Sequence, residues 1–151
     1  MKDHLPPSDL LRELAEEDEE MEAADPRLAD VIALCADRDE ANRDWAVYLL
    51  AQSDADTPAV RAALLAATKD EDGSVRAEAL VGLAQRAPDE ARPLVIRELN
   101  GDDAYAPLFE AAALCGHPDL VKPLKTWAKT GDKELDALVK EALTACIAND
   151  A

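Results

Sequence analysis

Part of this chain returns, altered, 33 residues further on. The stretch Arg43-Asp44-Trp45-Ala46-Val47-Tyr48-Leu49-Leu50 falls on Arg76-Ala77-Glu78-Ala79-Leu80-Val81-Gly82-Leu83, with Arg on Arg, Ala46 on Ala79 and Leu50 on Leu83. A shift of 30 residues lays Pro88-Asp89-Glu90-Ala91-Arg92-Pro93-Leu94 on Pro118-Asp119-Leu120-Val121-Lys122-Pro123-Leu124. A period of this size is the length of one helical hairpin with its turns. It constrains the fold more than any other feature, because a hairpin cannot bury its apolar face alone and must stack on its neighbours.

The residue types agree with helices. Ala and Leu dominate the apolar set, and Glu, Asp, Lys and Arg fill the positions between them. Ala loses no side-chain entropy in a helix and Leu loses little. The β-branched and aromatic runs that strands use are missing. An all-α chain is expected. Its punctuation repeats as well: prolines stand near helix starts at Asp25-Pro26, Thr57-Pro58, Ala87-Pro88 and His117-Pro118, where a missing N–H costs nothing. Acidic or glycine-bearing turns such as Lys69-Asp70-Glu71-Asp72-Gly73-Ser74 then offer capping oxygens to the next helix.

These signals predict a first helix near residues 8–23 and four helix pairs. The pairs lie near 26–36 and 40–52, 58–68 and 73–86, 89–99 and 104–115, and 119–129 and 133–148. Residues 1–24 form an acidic N-terminal capping helix or tail, and 25–151 a single repeat domain. Nine acids against two bases give residues 1–24 a charge of -7. Leu10, Leu11 and Leu14 supply a short apolar patch for docking, while the acidic run around Glu16–Glu20 would fray.

The second unit, Asp70-Glu71-Asp72-Gly73-Ser74-Val75-Arg76-Ala77-Glu78-Ala79-Leu80-Val81-Gly82-Leu83, resembles a HEAT repeat, in the short bacterial form also called the HEAT-like repeat of phycobilisome lyases. The acidic turn, the Val-Arg pair and the following Ala and Gly-Leu positions carry the likeness. The first unit keeps Arg43, Ala46 and Leu50 but has Asn42 in place of the valine, and the third and fourth are more degenerate. The resemblance spans roughly residues 25–148. It implies an α-solenoid of about four hairpins whose second helices line a concave, partner-binding surface.

Through that resemblance, Arg43, Trp45, Tyr48, Glu78 and Tyr105 become candidate partner-binding positions. Trp45 occupies the place of Glu78, which suggests a solvent-facing ring, with Tyr48 one turn on and able to share its face. The alternative is that Trp45 packs against the preceding hairpin or the acidic first helix. Arg43 and Arg76 could bind anions, but the resemblance implies that they pair with turn acids of their own or an adjacent repeat, for which Asp39 and Asp72 stand at equivalent positions. Trp127 is expected to pack, leaning on the final helix through Leu138 or Ala142.

The net charge of -17 repels phosphate backbones, so no nucleic-acid partner is expected. No apolar run approaches the roughly 20 residues that span a bilayer, and no signal segment opens the chain. Cys35, Cys115 and Cys146 are far apart and odd in number, which suits small core residues in a cytoplasmic protein better than disulfides or a metal site. No metal or cofactor is expected. Catalytic constellations are missing: His4 and His117 have no nucleophile at a recognisable motif. The leading expectation is a non-enzymatic module, monomeric or weakly oligomeric, that binds a partner protein with a basic surface. An immunity- or inhibitor-type protein occluding a basic toxin or nuclease is one form of it. The short repeat type also implies an alternative, a phycobilin lyase-like chaperone that attaches a tetrapyrrole in a pocket around Trp45, Tyr48 and Tyr105. A purely structural domain of a larger assembly is a third.

Overall fold

The computed structural model describes residues 5–17 and 20–148; His4, Asp18 and Glu19 lie outside them. Among the described residues the chain is all-helical, with no strand. It divides into two compact units, residues 1–79 and 80–151, and the division falls inside one helix, Gly73–Arg86.

The first unit holds α1 (Asp9–Glu16), α2 (Leu28–Leu34), α3 (Glu40–Gln52), α4 (Pro58–Ala67) and the opening of α5 (Gly73–Arg86). Local chemistry sets the starts. Ser8 Oγ accepts from the Leu11 N–H, Asp39 Oδ1 from the Asn42 N–H, and Thr57 Oγ1 from the Val60 N–H with Pro58 behind it. Each satisfies a donor that the first helical turn leaves free. α3 packs against α1, α2 and α4. Leu11, Val31, Ala46, Val47, Leu50, Val60 and Leu64 are fully buried there. The repeat positions Ala46, Ala79, Leu50 and Leu83 are all buried core residues.

α1 is shorter than the expected 8–23. It stops at Glu16, and Glu17 turns to extended backbone with φ -77° and ψ 140°. Continuing would stack the like charges of Glu16, Glu17 and Glu20 along one helix, a destabilising arrangement; Glu17 instead reaches Arg27.

The second unit holds α6 (Pro88–Leu99), α7 (Ala106–Cys115), a 3-10 turn (Pro118–Leu120), α8 (Val121–Lys125) and α9 (Lys133–Ala148). α7 lies between α6 and α9, and α8 packs on α6 and α9. Phe109, Ala111, Ala112, Leu120, Leu124, Ala142 and Cys146 are fully buried. Small residues let the backbones come close: the Cys146 thiol donates to the Ala112 carbonyl at 3.7 Å. Gly116 ends α7 in the left-handed region (φ 54°, ψ 42°), where a side chain would be strained. The helix expected over 119–129 is broken up. It opens as a 3-10 turn at Pro118, and past Lys125 the N–H groups of Trp127 and Ala128 bond three residues back, to Leu124 and Lys125, rather than four.

Candidate functional site

The helix that bears most of the expected site residues is α3, and it is anchored at its start. The Arg43 guanidinium donates to the carbonyls of Asp37 and Arg38 at 3.1 and 3.2 Å. Thirty-three residues later, Arg76 donates to the carbonyls of Asp70 and Glu71 at 3.0 and 3.2 Å. The acids repeat too: Asp37 accepts from the Asp39 N–H, and Asp70 from the Asp72 N–H. Two turns that share an Asp, a second Asp and an Arg at the same spacing are thus closed by the same clamp.

Arg43 also reaches Asp70, Nε to Oδ2 at 2.9 Å, with the two side chains 13% and 8% exposed. The acid it pairs with is in the following turn, and it is Asp70, not Asp39 or Asp72, whose carboxylates point at helix N–H groups. Arg43 therefore holds two turns together.

Beyond the clamp, α3 lines a cleft. Leu14 and Ala15 of α1, Glu17, Glu20 and Met21 of the following segment, and Trp45, Tyr48, Leu49, Gln52 and Ser53 surround a cavity of about 300 Å³. Trp45 and Tyr48 meet edge to face, with ring centroids 5.9 Å apart and planes at 83°. That geometry suits the quadrupoles of two rings and contributes about 0.5–1.5 kcal/mol beyond burial.

Trp45 is only 5% exposed, which overturns the solvent-facing reading of this ring and agrees with the packed alternative. The expectation came from its repeat partner Glu78, and that residue is itself buried at 7%. A glutamate does not mark a surface position when its neighbours cover it. Trp45 forms a wall of the cleft, and Tyr48, half-buried, shares it. Glu78 is no surface contact either. Tyr105 is exposed at 40%, stands at the N-terminus of α7 in the second unit, and is not part of the cleft lining.

The rim of the cleft is acidic and partly neutralised. Arg27 places one fork on Glu17, at 2.6 and 3.0 Å, and another on Asp25, at 3.1 and 2.8 Å. Hydrogen bonds from Arg27 hold the Asp25 carboxyl at about 2 and the Glu17 carboxyl below its ordinary value. Glu20 is exposed on the same rim, and no cation among the described residues pairs with it. Leu14, Met21, Glu20 and Gln52 were missed in the sequence. The apolar patch of α1 was the one signal that pointed to them, since it had to pack somewhere.

Elsewhere, burial pushes the Cys35 thiol up to about 12 and the Cys115 thiol to about 11, so both are poor nucleophiles. No group of three or more His, Cys, Asp or Glu among the described residues is placed to hold a metal ion. No helix among them is long and apolar enough to cross a membrane. The chain matches no family model, no curated protein and no solved structure.

Proposed function

We propose that this chain is a non-enzymatic interaction module of the HEAT-like type that engages a partner protein through the cleft between α1 and α3. The observation that carries the proposal is that cleft, a concavity walled by an edge-to-face Trp45–Tyr48 pair and open beside exposed carboxylates. Aromatic side chains in partly enclosed, polar-rimmed pockets are where protein interfaces concentrate their binding energy. The paired arginine clamps support the HEAT-like assignment, since they place the same contacts at a 33-residue interval. The excess of acids favours a partner with a basic surface.

A cavity of about 300 Å³ is at the lower end of the roughly 300–1,000 Å³ of small-molecule sites. It suits one or two side chains better than a tetrapyrrole. The test is affinity capture from the host with the native chain and with Gln52→Trp, which fills the cleft from an exposed position without altering charge. A protein retained by the native chain and lost by the variant is expected. Equal retention by both contradicts a role for the cleft.

A further inference from the structure

We infer that the cleft between α1 and α3 receives an arginine side chain flanked by apolar residues, presented by the partner protein. This inference rests on the interaction-module proposal and names what the cleft takes.

Three features of the cleft select such a group. The walls are apolar and aromatic, with Leu14, Met21 and Leu49 beside Trp45 and Tyr48. An aliphatic stem is buried by such walls, and a planar guanidinium gains from lying on a ring face. The mouth carries Glu17 and Glu20, so a cation is drawn in and an anion is turned away. The third feature is an internal precedent: Arg27 already fits a guanidinium fork onto Glu17 at 2.6 and 3.0 Å. That contact shows a rim carboxylate taking both arms of a guanidinium, a geometry that an ammonium does not match. Glu17 is occupied by that contact, which leaves Glu20 to receive the incoming group. The charge of -7 over residues 1–24 adds long-range attraction of the same sign.

The volume limits the occupant to a side chain and its neighbours, so the guanidinium comes from a peptide segment. Trp45 reports occupancy directly, as one of two tryptophans in the chain. In a Trp127→Phe background it is the single indole emitter. That protein is titrated with the capped pentapeptide Ala-Leu-Arg-Leu-Ala, with its citrulline and lysine counterparts, and with free agmatine.

The arginine peptide should change Trp45 emission saturably, with half-saturation below about 1 mM. The neutral citrulline peptide should bind about tenfold more weakly, since it keeps the shape and loses the charge. Glu20→Gln, a surface change that leaves the fold intact, should weaken the arginine peptide about three- to fivefold. The lysine peptide and agmatine should both fall below the arginine peptide. Equal binding of the arginine and citrulline peptides overturns the inference, as does stronger binding of the lysine peptide or agmatine. No response to any peptide also overturns it. If Gln52→Trp still abolishes host capture in that last case, the module proposal stands and the choice of occupant alone has failed.

Discussion

A pair of touching aromatic rings lies in each unit of this protein among the described residues, and the two pairs do different work. In the second unit Phe109 and Trp127 meet at 6.3 Å with planes at 61°. Phe109 is fully buried, and the Trp127 indole donates to the Leu99 carbonyl at 2.8 Å. That pair is tied into the packing of its own unit. In the first unit Trp45 and Tyr48 meet in nearly the same way, yet they face a cavity with carboxylates at its mouth. Ring geometry is shared, so it cannot distinguish packing from recognition. What distinguishes them is the setting: one pair packs in the core with its indole bonded to a backbone carbonyl, and the other lines a cleft rimmed by carboxylates.

The hardest way to break this comparison is to remove the packed ring. Phe109→Ala should cost about 3–5 kcal/mol, read from the denaturant midpoint, while the protein that remains folded binds the arginine peptide as before. A loss of binding in the folded fraction would show that the two pairs are not separate in function. Next in size is Arg43→Ala, which strips the clamp of α3 and leaves Asp70 with its charge nearly buried. It should cost about 3 kcal/mol. Arg43→Lys should recover less than half, since an ammonium cannot serve two carbonyls and a carboxylate fork together. Full recovery by lysine would reduce the clamp to simple charge pairing.

Trp127→Phe sharpens the comparison more gently. It removes one indole hydrogen bond to the Leu99 carbonyl and should cost about 1 kcal/mol, with peptide binding unchanged. Tyr48→Ala should do the reverse, reducing peptide affinity about tenfold while calorimetry records a smaller drop in thermal midpoint than for Phe109→Ala.

The smallest effect concerns the rim. Arg27 lowers the Asp25 pKa from 3.8 to about 2. Because the folded value lies below the unfolded one, this contribution is fully present above pH 3.8 and is lost as the pH falls through about 2. Both side chains are solvent-accessible, so the effect is small. Unfolding midpoints measured from pH 5 to pH 2 should fall more steeply for the native chain than for Arg27→Gln. Parallel slopes would mean that the ion pair adds nothing to folding.

Much of this was legible in the sequence, and the failures share a cause. Helix positions followed from period, prolines and caps, all of which act within a few residues; α3, α5 and α9 match their expected spans. The core positions Ala46 and Leu50 followed from the repeat alignment. For Trp45 the sequence left a solvent-facing and a packed ring both open, because the choice depends on surroundings outside the repeat, such as α1, more than 25 residues away. Arg43 was expected to pair with a turn acid of its own or an adjacent repeat, and it pairs with one in the next turn; that the acid is Asp70 rather than Asp39 or Asp72 was not legible, a choice set by how consecutive turns stack. The end of α1 at Glu16 was half legible, since the like charges that follow it were expected to fray the helix. The break after Lys125 was hidden, because the pull of the Leu99 carbonyl on Trp127 is a property of the folded surroundings, not of the local string.

The most direct measurement uses the two indole N–H signals of the protein in an amide-nitrogen correlation spectrum, one from Trp45 and one from Trp127. On addition of the arginine peptide, the Trp45 signal should move saturably while the Trp127 signal stays in place. If neither signal moves, or if both move together, the cleft between α1 and α3 is not the recognition site.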